Sequence, residues 1–119
     1  MSRKERFEIS QYPTEITINP GKLTRNGQLF TTQNFTHPDK LKRAINGEID
    51  LEDNPIPVAW YWGEKGAIVL GDGNHRVAIA YLNEESLLIK LIGPFSKNIK
   101  PIPFKKFLID NVSGWGLEI

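Results

Sequence analysis

The chain has 119 residues, enough for one domain to bury a core without disulfides or metals, and its 39% apolar and 24% charged residues suit a folded globular protein rather than a disordered one. A net charge of +1 excludes both a global field for nucleic acid and the profile of an acidic DNA mimic, and the absence of cysteine excludes disulfides, thiolate metal sites and cysteine nucleophiles. The charged N-terminus lacks the apolar run of a signal peptide and nowhere do about 18 apolar residues run together, so the expectation is a single cytoplasmic domain over residues 1–119 with no membrane partner.

In chain order, residues 15–18 and 28–32 are β-like and are separated by turn signals at Asn19-Pro20-Gly21 and Asn26-Gly27. Arg25-Asn26-Gly27-Gln28 reads as a tight hairpin turn, since Asn-Gly tolerates positive φ. Thr36 and Asp39 have capping-box spacing and Pro38 falls in the first turn, which predicts a short amphipathic helix over 38–46 stopped by Gly47. After an acidic loop carrying Glu48, Asp50, Glu52 and Asp53, residues 56–62 read as a strand with Trp60 and Trp62 on one face. Gly63-Glu64-Lys65-Gly66 is a hairpin turn into a continuously apolar strand, 67–70, expected to be buried on both sides. A largely apolar helix follows through Val77, Ala78, Ala80, Tyr81 and Leu82 to Asn83, then a strand over 87–92 closed by Gly93-Pro94 and a short helix over 104–111. The expected fold is therefore α/β (α+β), a small mixed sheet with flanking short helices.

The chemistry concentrates in the turn Gly71-Asp72-Gly73-Asn74-His75-Arg76, between a buried strand and a helix. The first four N–H groups of a helix have no internal partner, so such a turn is an anion site in waiting, and glycine at Gly71 and Gly73 lets a ligand approach the chain. Arg76 can add a bidentate contact to a phosphate. His75 can donate to a phosphate oxygen or transfer a proton, whereas Asp72 can hold Mg²⁺, orient His75 or accept a proton. A carboxylate beside a phosphate repels it unless a cation intervenes, so Asp72 in a nucleotide site argues for Mg²⁺. The competing reading is structural: Asp72 or Asn74 caps the helix, the glycines make the turn and Arg76 is a surface residue.

The stretch from Pro55-Ile56-Pro57-Val58 through Ala67-Ile68-Val69-Leu70 and the turn to Val77-Ala78-Ile79-Ala80 resembles the core of the ParB/sulfiredoxin superfamily, in which a Pro-Ile-x-Val strand, a hairpin and a Gly-x-x-Arg turn open an Ala-rich helix. The resemblance covers about 38–92. It implies that the turn binds nucleotide phosphates, as with CTP in ParB proteins, ATP in sulfiredoxin and ADP in a related free-serine kinase. Gly73 and Arg76 are then phosphate contacts, with Gly71, Asn74 and His75 lining the same site. His75 matches the His of the sulfiredoxin Gly-Cys-His-Arg turn, but Asn74 stands in place of its Cys, which removes sulfiredoxin chemistry. The chain also lacks room for the DNA-binding and dimerisation domains of ParB partition proteins, so the expectation is an isolated ParB-like domain.

Three functions follow. The first is a nucleotide- or phosphate-binding domain, with Asp72 and His75 as catalytic candidates for phosphoryl transfer or hydrolysis and Asp72 as a Mg²⁺ ligand. The second is a DNA-binding protein or metal-dependent nuclease using the turn and the tail lysines Lys97, Lys100, Lys105 and Lys106. The third is a non-catalytic regulator or inhibitor from a mobile element, acting through a protein partner. Trp60, Tyr61 and Trp62 can stack a base or pack a core or interface, Trp115 between two glycines has the character of a docking residue, and His37 lies near a helix cap.

Overall fold

A computed structural model describes residues 4–33, 42–43, 46–47, 55–96 and 98–112. The first strand, β1 (Thr14–Ile18), is followed by a helix, α1 (Pro20–Arg25), that the turn signals had concealed. Asn19 is its N-cap, accepting the Lys22 N–H on its side-chain oxygen at 3.0 Å, and Pro20 occupies the first helical position, where a missing N–H costs nothing. Asn26 ends the helix and Gly27 follows at φ +70°. The expected hairpin turn at Arg25–Gln28 is thus a helix C-terminus, because Asn-Gly serves a cap as well as a hairpin.

Strand β2 (Leu29–Thr31) pairs in parallel with β4 (Ala67–Asp72), and β4 pairs antiparallel with β3 (Val58–Trp62) across the expected turn at residues 63–66. That turn is closed by the Lys65 N–H on the Trp62 carbonyl at 3.1 Å and the Gly66 N–H on the Gly63 carbonyl at 3.2 Å. After α2 (Asn74–Leu82), β5 (Leu87–Pro94) lies parallel to β3 and antiparallel to β1. A two-residue edge strand, β6 (Ile102–Pro103), pairs with Phe30 and Thr31 and leads into α3 (Phe104–Val112). The six-stranded sheet is mixed, in the order β1-β5-β3-β4-β2-β6, and the fold is a small α+β one.

Residues alternate across a strand, and the register puts Leu29, Ala59, Ile68, Leu70, Ile89 and Leu91 on one face. There they pack with Leu23 of α1, Val77 and Ala78 of α2, and Phe104, Phe107 and Leu108 of α3 into the buried core. On the opposite face Trp60 and Trp62 both meet Phe95, and Trp62 also meets Phe30 edge-on. Ala67, Ile68, Val69 and Leu70 are all fully buried, as their unbroken apolar run requires of a strand covered on both sides.

The predicted helix over 38–46 lies mostly outside the described residues. Within it Lys42 and Arg43 are helical, the Asn46 N–H donates to the Lys42 carbonyl at 3.0 Å, and Gly47 stands at φ +75°. Of the tail lysines, Lys100 is exposed in a loop, Lys105 and Lys106 lie on the exposed side of α3, and Lys97 falls outside the described residues. Lys106 pairs with Asp110 one turn on, at 2.9 Å.

Candidate functional site at the strand-to-helix turn

The six residues 71–76 form one continuous corner: Gly71 and Asp72 finish β4, Gly73 is the N-cap of α2, and Asn74, His75 and Arg76 make its first turn. Gly73 has φ +82° and ψ +22°, the left-handed region that other residues resist. A Cβ there would also lie 2.7 Å from Cα and Cβ of Pro57. Pro57 is buried just ahead of β3, so the Pro-Ile-Pro segment walls one side of the corner. At Gly71 the close neighbour is the Trp60 ring, 2.6 Å from where a Cβ would stand. Both glycines therefore hold the corner against β3, one through backbone and one through an indole.

The other wall comes from the end of β2. Thr31 Oγ1 donates to Asn74 Oδ1 at 2.6 Å and accepts the Gln33 N–H at 3.1 Å, while Gln33 Nε2 donates to the Gly71 carbonyl at 3.3 Å. Thr32 adds its N–H and its hydroxyl to the Leu70 carbonyl. Asn74 is 1% exposed, so its side chain is a buried brace from α2 to β2 rather than a helix cap.

The N-cap of α2 is Gly73, no side chain of the described residues makes a cap hydrogen bond to the helix and no acidic residue lies in its first turn, so the competing reading of an Asp72 or Asn74 cap is corrected. The physical reason is Gly73 itself. With glycine at the N-cap there is no side-chain oxygen to accept from the second or third helical N–H, and Asn74 is turned inward. The first intrahelical bond runs from the Val77 N–H to the Gly73 carbonyl, so the N–H groups of Asn74, His75 and Arg76 precede the ladder. Asp72 is exposed and its Oδ1 accepts the Gly73 N–H at 2.9 Å, which sets a carboxylate beside this end of the helix. Arg76 is half-buried and reaches the Pro55 carbonyl through Nη1 at a long 3.4 Å. His75 is half-buried beside it.

Comparison with protein-family models, with curated proteins and with solved structures gives no match. The geometry of the corner therefore carries the functional reading. Among the described residues no group of three or more His, Asp and Glu stands close enough to hold a metal ion. The acidic residues Glu48, Asp50, Glu52 and Asp53, together with His37 and Trp115, lie outside the described residues. Sequence reasoning missed Thr31 and Gln33. Both are ordinary polar residues at a strand end, and only the parallel pairing of β2 with β4 brings them to the turn.

Proposed function

We propose that the chain binds a nucleotide or another phosphate ligand at residues 71–76, as a ParB/sulfiredoxin-like domain. What supports this most is the N-terminus of α2 behind Gly73, which has no side-chain cap among the described residues and no acid in its first turn, so that the helix's partial positive charge is opposed there by the Asp72 carboxylate on the Gly73 N–H. Arg76, one turn in, supplies a guanidinium for the same ligand. Asp72 opposes a bare phosphate, so a divalent cation is needed between its carboxylate and the ligand.

Isothermal titration with CTP, ATP, ADP and GTP, each with and without Mg²⁺, tests the reading. We expect at least one nucleotide to bind with a Kd on the order of micromolar, more tightly with Mg²⁺. Arg76→Ala should weaken that binding about tenfold or more, as the loss of a charge-assisted hydrogen bond implies, with the far-UV circular dichroism unchanged. A folded protein that gives no heat with any of the four would overturn the proposal. Release of inorganic phosphate in the same samples, abolished by Asp72→Asn or His75→Ala, would assign phosphoryl transfer or hydrolysis to those residues.

A further inference from the structure

The two edges of the sheet are unlike. At one, β6 is two residues long and ends in Pro103, so it offers little backbone to a further strand. At the other, β1 runs five residues, Thr14-Glu15-Ile16-Thr17-Ile18, and among the described residues it pairs with β5 alone. In an antiparallel ladder every second residue turns its N–H and C=O away from the paired strand, so β1 presents backbone donors and acceptors outward. The devices that blunt an edge are missing from it: Thr14–Ile18 holds no proline and no lysine, and its register with β5 is unbroken. Its one charge, Glu15, is matched by its direct cross-strand partner, Lys90. Ile16 lies opposite Ile89 and packs against the core, yet it is only partly buried at this open side. On the outer face Glu15 and Thr17 are exposed, and beside them Leu88 and Ile92 of β5 are 40% and 42% exposed.

We propose that β1 is a dimerisation edge, which pairs antiparallel with β1 of a second copy of this chain and joins the two sheets into one. An open edge is completed by a strand, and every copy brings the same open strand to the encounter. A two-fold axis through Ile16 makes β1 its own complement, as an isologous interface requires. That axis sets Ile16 against the partner's Ile16, Thr14 against the partner's Ile18 and Glu15 against the partner's Thr17. Across the junction the core-face row then reads Ile89, Ile16, the partner's Ile16 and the partner's Ile89, so the two cores close over the side that each leaves open. The outer-face row reads Leu88, Thr17, the partner's Glu15 and the partner's Lys90, with no like charges opposed. Other registers are poorer. A slip of one residue sets core-face side chains beside outer-face ones, and a slip of two shortens the ladder and, in one direction, opposes the two Glu15 carboxylates.

Sedimentation velocity on the full chain, from about 1 to 500 μM, tests this, and we expect a monomer–dimer equilibrium with a Kd on the order of 1–100 μM. Thr17 is exposed, so its substitution should leave the fold intact. Thr17→Glu sets a carboxylate against the partner's Glu15, and the two-fold axis repeats the clash, so the dimer should weaken about fivefold. Thr17→Lys sets opposite charges at the same two places and should tighten it by a similar factor of about five. Because the chain has no cysteine, a register-specific crosslink is also readable. Glu15→Cys mixed with Thr17→Cys should give more disulfide-linked dimer under mild oxidation than either variant alone. Arg76→Ala should leave the dimer unchanged, which keeps this outcome separate from that of the nucleotide titration. The proposal is overturned if the chain stays monomeric up to about 500 μM, if the dimer is indifferent to both Thr17→Glu and Thr17→Lys, or if either cysteine variant alone crosslinks as well as the mixture.

Discussion

Gly73 is asked to do two things by its surroundings, and the two are separable by mutation. Its φ of +82° strains any side chain, and Pro57 blocks the space where a Cβ would stand. Gly27, just after α1, has a similar φ of +70° but nothing within 4 Å of a Cβ. Gly27→Ala should therefore cost about 1 kcal/mol, the backbone contribution alone. Gly73→Ala adds a clash with proline backbone and should cost about 2–4 kcal/mol. Urea unfolding of the two variants checks this, and equal costs would mean that Pro57 moves aside freely. The turn itself was legible in the sequence, because two glycines between an apolar run and an Ala-rich stretch have few other uses. Its mates were not. Pro57 at Gly73, Trp60 at Gly71 and Thr31 at Asn74 are contacts across strands, and no local pattern encodes them.

Among the elements, the β3–β4 hairpin, β5 and α2 declared themselves through uninterrupted or periodic apolar residues. α1 did not, since six residues are too few to show a period and its caps, Asn19-Pro20 and Asn26-Gly27, read equally well as turns. β6 is two residues long and ends in proline, which suits an edge strand but gives no strand signal. A polar residue ties these short pieces together. Gln28, 1% exposed, accepts the Glu5 N–H on Oε1 and donates through Nε2 to the carbonyls of Glu5 and Gly66, each at 2.8 Å. It thus fastens the N-terminal segment and the β3–β4 turn to the start of β2. Gln28→Leu keeps the volume but leaves those backbone groups without their partner, so it should destabilise the protein by about 1–3 kcal/mol. Hydrogen exchange should localise the damage, with protection lost at Glu5. A variant as stable as the parent, with that amide still protected, would show that water replaces the side chain at little cost. By contrast, the Lys106–Asp110 pair is exposed at both ends, and exposed pairs of this spacing contribute at most a few tenths of a kcal/mol.

On the scale of the whole molecule, the stretch that resembles the ParB/sulfiredoxin core is not the stretch that forms the hydrophobic core. The resemblance runs over about 38–92, whereas the buried cluster also takes Ile18, Leu23 and Leu29 from the N-terminal side and Phe104, Phe107 and Leu108 from the C-terminal side. The sheet explains why. β5 and β4, both inside 38–92, are covered at their outer edges by β1 and β2, which come from the first third of the chain. A fragment of residues 38–92 would lose these six buried side chains and expose both edges of its three remaining strands. Full burial of a large apolar side chain contributes about 1.5–3 kcal/mol, so the six together are worth about 9–18 kcal/mol, as much as the net stability of a typical domain. The fragment should therefore be unfolded in isolation, with a random-coil circular dichroism spectrum and collapsed amide dispersion, and should bind no nucleotide even if the full chain does. Fragments 4–96 and 38–112 each restore one side and separate the two contributions. The first regains β1, α1 and β2 without α3, the second regains β6 and α3 without β2, the strand on which both pack. Because β2 is the shared partner, 4–96 should retain more ordered structure than 38–112. The opposite ranking, read from amide dispersion at one temperature, would place the folding core on the C-terminal side instead.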